Sequence, residues 1–377
     1  MVVDLDSTDP EGWETDKHVL FDNRTEAAVW EVHIRDFSVA DNSGVSESNK
    51  GKYLAFTEGG TTLNSDTSAN AVKTGIDYLV EQGINCVQIL PMYDFQSVDE
   101  SKASSSTNRN WGYDPQNYNV PEGSYSSNAY DGNVRITEMK QMIQALHDRG
   151  ISVVMDVVYN HTYTTEGSCF SRTVPGYYYR MQNATTYVNG SGCGNEIATE
   201  NMMARNYITQ SVKYWAEEYH VDGFRFDLMG CIDVNTMNAV RSTLDGMYSD
   251  GSGQKILVYG EPWTGGTSAV QTGATTTNAS KLNSRVGMFS DGMRNALTGG
   301  TSATDKGWIE GVTTKTGTVV SGMKASIVNG SNTTQTITYA DCHDNVTLWD
   351  HLTRGQYNST SATFINRMKL CYGAIFT

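Results

Sequence analysis

Three acidic side chains stand where short apolar runs give way to polar sequence: Asp227 after GFRF, Glu261 after VYG and Asp344 within YADCHDN. Converging carboxyl groups suit the cleavage of a glycosidic bond. One must be ionised to attack or steady the anomeric carbon, and one must be protonated to deliver a proton to the leaving oxygen. In enzymes that retain configuration the two lie about 5–5.5 Å apart. The three residues are far apart along the chain, so the fold has to bring them together.

The elements that must do so recur in one pattern: a β-branched run, a polar loop, an amphipathic helix. Strands are expected at Ala28 to Ile34, Asn85 to Leu90, Ser152 to Val157, Gly223 to Asp227, Ile256 to Gly260, Arg285 to Phe289 and Ile337 to Ala340. The runs are nearly continuous or alternate only weakly, as in parallel strands covered on both faces. Helices are expected between them. Met139, Met142, Ile143 and Leu146 share one face after Thr137; Val72, Ile76, Leu79 and Val80 do so before Gly83. Met203 to Tyr219, Val234 to Met247 and Ala362 to Ile375 read as three more. Such alternation predicts βαβ units, and right-handed crossovers in series curl into a barrel. The fold class expected is α/β, a (β/α)8 TIM-type barrel with about seven strands present. Residues 1–25 read as a lead-in and 26–377 as the barrel, with 161–199 as a small inserted subdomain after strand three. Tyr93 to Val134 is another long connection. Thr264 to Ser284 and Thr298 to Thr336, rich in Gly, Thr, Ser and Asn, read as surface loops. In a parallel barrel all strand C-termini share one rim, where active sites of this architecture sit.

Composition narrows the partners. The 377 residues carry 42 acidic and 27 basic side chains, a net charge of −15. That field repels phosphates, so no nucleic-acid partner is expected. No run approaches the ~18 apolar residues of a spanning helix, so no membrane partner is expected either. The start, MVVDLDSTDPEG, is no signal peptide. The chain reads as cytoplasmic as written, and as secreted if a leader lies upstream. Of six cysteines, four fall in or beside predicted elements and read as buried thiols; Cys169 and Cys193 share a polar region in which they could pair. There is no GxGxxG after the first strand, no Walker A, no HExxH and no GxSxG.

DVVYNH (Asp156 to His161), GFRFDLMG, YGEPW and the His343–Asp344 pair resemble the conserved regions of the α-amylase superfamily, glycoside hydrolase family thirteen, in the family's order and at its strand positions. The stretch from Asn108 to Ser126 resembles the signature loop of type I pullulanases; NWGYDP, Asn110 to Pro115, is intact, and Arg109 stands where the signature usually has Tyr. The resemblance runs from about Asp4 to Thr377. It implies that Asp227 is the nucleophile, Glu261 the general acid and then base, and Asp344 the residue that grips sugar hydroxyls and favours the distorted ring. It implies that Arg225, on the same strand face as Asp227, orients the nucleophile. His161 and His343 would donate to hydroxyls, and Tyr113 would stack on the sugar. Asp156 would be structural, anchoring the rim. Trp111 and Trp263 read either as substrate platforms or as loop packing. His18, His33, His147, His220 and His351 match no role. No cofactor or metal is expected: Asn160 matches a position that helps hold calcium in some relatives, but one Asn is not a site of six to eight oxygens.

The reading is a retaining hydrolase of α-1,6 bonds in pullulan and branched α-glucans, monomeric in the complete protein. One alternative is an α-1,4-acting amylase or neopullulanase. Another is an inactive glucan-binding fragment: Ala374 to Thr377 reads as the start of an eighth strand, and seven strands alone are expected to fold poorly.

Overall fold

Branched and aromatic residues favour the pleated, covered surface of a sheet, and seven such runs extend as strands: β1 Val29–Val32, β2 Cys86–Ile89, β3 Ser152–Val157, β4 Gly223–Phe226, β5 Leu257–Gly260, β6 Val286–Phe289 and β7 Thr336–Ile337. Each falls where the sequence predicts one, although β7 starts a residue earlier. The structure, a computed structural model, describes residues 2–102, 109–301, 305–326, 333–355 and 357–376. Among these residues every strand lies beside its predecessor, in the order β1 to β7, and every pairing in this sheet is parallel. The seven strands form the wall of a (β/α)8-type barrel.

Period two divides the strands into an outer and an inner face. Val87, Ile89, Val153, Met155, Phe224 and Phe226 face outward into the main core. Cys86, Val154 and Tyr259 form a separate inner cluster, with Phe289 and Ile337 against it. The inner face is crowded: a Cβ on Gly223 would lie 2.8 Å from Leu257 Cβ and 2.9 Å from Val154 Cγ2.

The helices are α1 Gly75–Glu81, α2 Gly132–His147, α3 Cys169–Thr173, α4 Met202–Glu218, α5 Val234–Asp245, α6 Asp291–Thr298, α7 Thr316–Met323, α8 Leu348–Arg354 and α9 Ala362–Ile375. Asp131 caps α2, accepting from the Asn133 amide, so this helix begins earlier than its apolar stripe suggests. Ile136, Met139, Met142, Ile143 and Leu146 are its buried face. The core of α1 is narrower than predicted: Ile76 and Leu79 are buried, whereas Val72 precedes the helix and, like Val80, is exposed.

Two further expectations need correction. The segment Thr298 to Thr336 is not all loop, because it contains α7, whose Val319 packs in a second core with Met293, Leu297, Leu352 and Phe364. Ala374 and Ile375 do not start a strand; they form the last turn of α9, with Phe376 as its C-cap, and Thr377 lies outside the described residues. The connection after β2 holds an antiparallel hairpin, Tyr93–Phe95 with Pro115–Pro121. Residues 161–199 contain α3 and a second hairpin, Met181–Asn183 with Thr186–Tyr187.

At the N-terminal end of the barrel the lead-in is tied down by polar groups. Asp222, directly before β4, accepts from His18 Nδ1 at 3.0 Å, the Val19 amide at 3.0 Å, His147 Nε2 at 2.9 Å and the Val153 amide at 2.8 Å. Asp16 accepts from His147 Nδ1 at 2.9 Å and His220 Nδ1 at 2.6 Å. His18, His147 and His220 thus tie the lead-in to the base of the barrel. His351 pairs with Glu310. All six cysteines are free thiols, with Cys169 and Cys193 exposed. Among the described residues no helix is long and apolar enough to cross a membrane.

Candidate active site

Arg225 stands on the inner face of β4 with 3% of its surface exposed. Its Nη1 lies 3.0 Å from Asp156 Oδ1 and 3.2 Å from Asp227 Oδ1, and its Nη2 lies 2.7 Å from Glu261 Oε1. Three strands, β3, β4 and β5, thus deliver a carboxylate each to one guanidinium. The pattern follows from register: Asp156 pairs with Arg225 across β3 and β4, and Arg225 with Tyr259 across β4 and β5. Such a buried cation satisfies charges that could not be left unpaired there.

Each carboxylate has a further partner. Asp227 Oδ2 accepts from Asn160 Nδ2 at 2.7 Å. Glu261 Oε2 accepts from the Leu228 amide at 2.8 Å. Leu228 sits at φ 38°, a left-handed conformation rare for a residue with a side chain, and this turn is what aims its N–H at Glu261. The Gly230 amide then reaches the carbonyls of Glu261 and Trp263, both at 3.1 Å. A Cβ on Gly230 would lie 2.4 Å from Trp263 O, so only glycine lets the β4 and β5 loops meet this closely. Asp156, fully buried, accepts from the Tyr113 hydroxyl at 2.7 Å.

Burial pushes the Glu261 carboxyl up to about 7, with Arg225 working against that rise and the charge of Asp227 adding to it. Burial likewise raises Asp156 to about 6, again opposed by Arg225. Arg225 itself stays cationic: burial opposes the charge, but the surrounding acidic groups hold its pKa well above the ordinary value.

The aromatic loop closes over this centre. His33 Nε2 lies 2.7 Å from the Asn110 carbonyl, and Arg109 pairs with Asp36, so the end of β1 holds the NWGYDP turn; Asn108 lies outside the described residues. Tyr113 stacks on His343 with centroids 5.0 Å apart, and Trp111 meets the same imidazole edge-on at 5.2 Å. His343 Nδ1 lies 2.8 Å from Glu31 Oε1, and its amide donates to Glu31 Oε2 at 2.5 Å. Burial disfavours the His343 cation, but Glu31 outweighs it and raises its pKa.

The family model "Alpha amylase, catalytic domain" matches residues 56–183, which include Tyr113, Asp156 and His161. Pullulanase of Bacillus subtilis is 40% identical over 88% of this chain and 45% of its own length. Pullulanase 1, chloroplastic, of Arabidopsis thaliana is 34% identical over 79% of this chain and 34% of its own. The crystal structure of apo pullulanase from Paenibacillus barengoltzii superposes with TM-score 0.90 and 41% identity, covering 99% of this chain and 57% of that one. A second structure of that enzyme, described as a complex with maltohexaose and α-cyclodextrin, gives TM-score 0.87 at 42% identity, covering 97% of this chain and 56% of that one.

The chain belongs to the α-amylase family, in its pullulanase branch. It spans less than half the length of these two curated relatives.

Within this α-amylase-family site the sequence-predicted residues divide into groups. Asp227, Glu261, Arg225 and Asp156 meet at the guanidinium, with Tyr113 on Asp156. Asp156 is therefore more than a rim anchor: it lies at the centre. Asp344 stands apart at the mouth, its side chain half exposed and its Oδ1 3.5 Å from His343 Nε2. His161 is buried, with Nδ1 2.6 Å from Asn160 Oδ1 and Nε2 3.1 Å from the Tyr113 carbonyl, so both ring nitrogens are engaged within the protein. Trp263 is half-buried and Trp111 lies at the surface. Asn160, weighed from sequence only for calcium, instead links Asp227 to His161. Glu31 and Gln88 were not singled out at all. Gln88 Nε2 donates to Glu31 Oε1 at 2.8 Å and Gln88 Oε1 accepts from Tyr259 at 2.8 Å. The available signal was a polar residue at the inward positions of β1 and β2, in runs otherwise apolar.

Among the described residues two groups of side chains are spaced as metal ligands are: Glu31 with Cys342 and His343, and Asp94 with Glu100 and Glu122. The second is engaged already, since Glu100 pairs with Arg135 and Glu122 accepts from the amides of Ser124 and Phe95.

Proposed function

We propose that the chain hydrolyses α-1,6 glucosidic bonds of pullulan and branched α-glucans with retention of configuration. The observation that carries this reading is the pairing of Asp227 and Glu261 on one guanidinium, with the Glu261 carboxyl raised to about 7. A general acid needs a pKa near the working pH, and retention needs a second carboxyl nearby as nucleophile, which Asp227 supplies on the same guanidinium.

Asp227 attacks the anomeric carbon while Glu261 passes its proton to the departing glycosidic oxygen. The C–O bond breaks and a glycosyl ester forms on Asp227. Glu261, now ionised, takes a proton from water; the hydroxide oxygen bonds to the anomeric carbon and Asp227 leaves as carboxylate. Arg225 and Asn160 hold Asp227 in line. Tyr113 and His343 supply the wall against which the sugar lies, with Trp111 at its edge. Asp344, exposed at the mouth, reaches sugar hydroxyls. The α-1,6 preference draws on the intact NWGYDP loop and on relatives named pullulanases.

Incubation of the chain with pullulan, followed by chromatography, tests the reading. Maltotriose as the product, lost by orders of magnitude in Asp227→Asn, is expected. Panose, or no cleavage by the wild-type chain, refutes it.

A further inference from the structure

The His343 imidazole has a sulfur neighbour that the proposed hydrolysis does not use. Cys342 precedes it, and Cys342 Sγ, a His343 ring nitrogen and a Glu31 carboxylate oxygen all lie within 4.8 Å of one another. The three come from opposite ends of the chain, β1 and the loop after β7. Two of the contacts are preformed: the Glu31 carboxylate faces His343 Nδ1 at 2.8 Å and also accepts its amide, so both side chains are already oriented. The thiol makes a long contact, 3.9 Å to the Asp344 carbonyl. The group is half-buried, not sealed: Glu31 and His343 side chains are 16% and 8% exposed.

We propose that Glu31, Cys342 and His343 form a binding site for a thiophilic divalent cation of the zinc class, and that its occupation blocks the neighbouring active site. Thiolate, imidazole and carboxylate are the donor set zinc prefers, and three protein ligands leave one position for water. Bonds of about 2.0–2.3 Å require the donors to close in by roughly 1 Å, a movement within reach of side-chain rotation. The carboxylate and imidazole part slightly to admit the ion. As the metal bonds form, the thiol proton and the imidazole proton held against Glu31 both pass to solvent, and nothing is oxidised. Hard cations such as magnesium and calcium, which prefer all-oxygen shells, are excluded by the same donors. The ion takes the imidazole from the aromatic stack of Tyr113 and Trp111, which accounts for the block. The blocking part rests on the proposed hydrolysis; the metal site does not.

Cobalt(II) is the probe for the site, because a thiolate ligand gives it an intense near-ultraviolet charge-transfer band. The 377-residue wild-type chain is expected to develop this band on titration with Co2+ and Cys342→Ser to lack it. Alkylation with iodoacetamide, mapped by mass spectrometry on the wild-type chain, is expected to spare Cys342 when Zn2+ is present; this readout does not depend on any variant folding. Zn2+ is expected to inhibit pullulan cleavage by wild type, and Cys342→Ser, with unchanged cleavage in the absence of metal, to need more than about tenfold higher Zn2+, since ligand loss costs at least as much as the roughly 10–100-fold loss of an outer-shell partner. A wild-type chain without the band, a band that persists in Cys342→Ser, or Cys342 alkylated equally with and without Zn2+ overturns the site. A band with undiminished turnover overturns the block. A chain that cleaves no pullulan even without metal defeats the functional reading, while the cobalt band still decides the site.

Discussion

Raising the pH should unlock the base of the barrel, and one histidine sets the amount. His147 places both ring nitrogens 2.9 Å from carboxylates, Nδ1 against Asp16 and Nε2 against Asp222, which requires the imidazolium. Burial opposes that charge, but Asp222 and Asp16 outweigh it and lift the His147 pKa from 6.5 to about 9. A group whose pKa is raised by folding stabilises the native state fully below its unfolded value and loses that contribution as pH climbs to its folded value. The window is therefore pH 6.5 to about 9, and at about 1.36 kcal/mol per pH unit the contribution is roughly 3 kcal/mol. This counts one network once, because the depression of Asp16 to about 2 is largely the same contact seen from its partner. The perturbation is His147→Gln, which keeps a donor but cannot carry charge. Unfolding free energies from urea titrations across pH 6 to 10 provide the assay. At the acid end the variant should be about 3 kcal/mol less stable than wild type, and the two curves should converge at the alkaline end. Groups common to both chains cancel in the difference. Parallel curves, or a wild-type chain whose excess stability grows with pH, would refute the reasoning. Asp222 directly precedes β4, so the same loss loosens the strand that carries Arg225.

Two further outcomes concern the active site. Turnover of pullulan should fall as pH rises through about 7, where Glu261 loses its proton; in Glu261→Gln that limb should vanish and the rate drop by about 10²–10⁴-fold, read from pH–rate profiles. Tyr113→Phe removes the hydroxyl that donates to Asp156; kcat should fall about tenfold, near the low end of a hydrogen bond to a charged group (about 1.5–3 kcal/mol), with the melting profile little changed.

The barrel was legible because parallel strands covered on both faces need no alternation: Ser152 to Val157 is buried throughout and reads as one run. Arg225 and Asp227 were legible because period two puts them on one face. Helix α7 was not, since Thr, Gly and Ser dominate its surroundings and its helicity comes from packing Val319 against α6, a tertiary effect. Val72 and Val80 misled because an apolar residue at helical spacing need not be covered. Glu31 escaped for a different reason: its partner His343 lies 312 residues away, and no local pattern encodes such a contact.

That separation also dictates timing. During synthesis Glu31 leaves the ribosome 312 residues ahead of the only imidazole that pairs with it here, at ~5–20 residues per second. For at least ~15 seconds the first strand carries a carboxylate turned inward without its imidazole partner. The early strands can dock on α2 and α4 without it, because their outward faces hold the main core. The mouth, by contrast, cannot be assembled piecemeal. Its two sides come from the first and the last strand of the seven-stranded sheet, so its completion reports that the whole wall between them has formed.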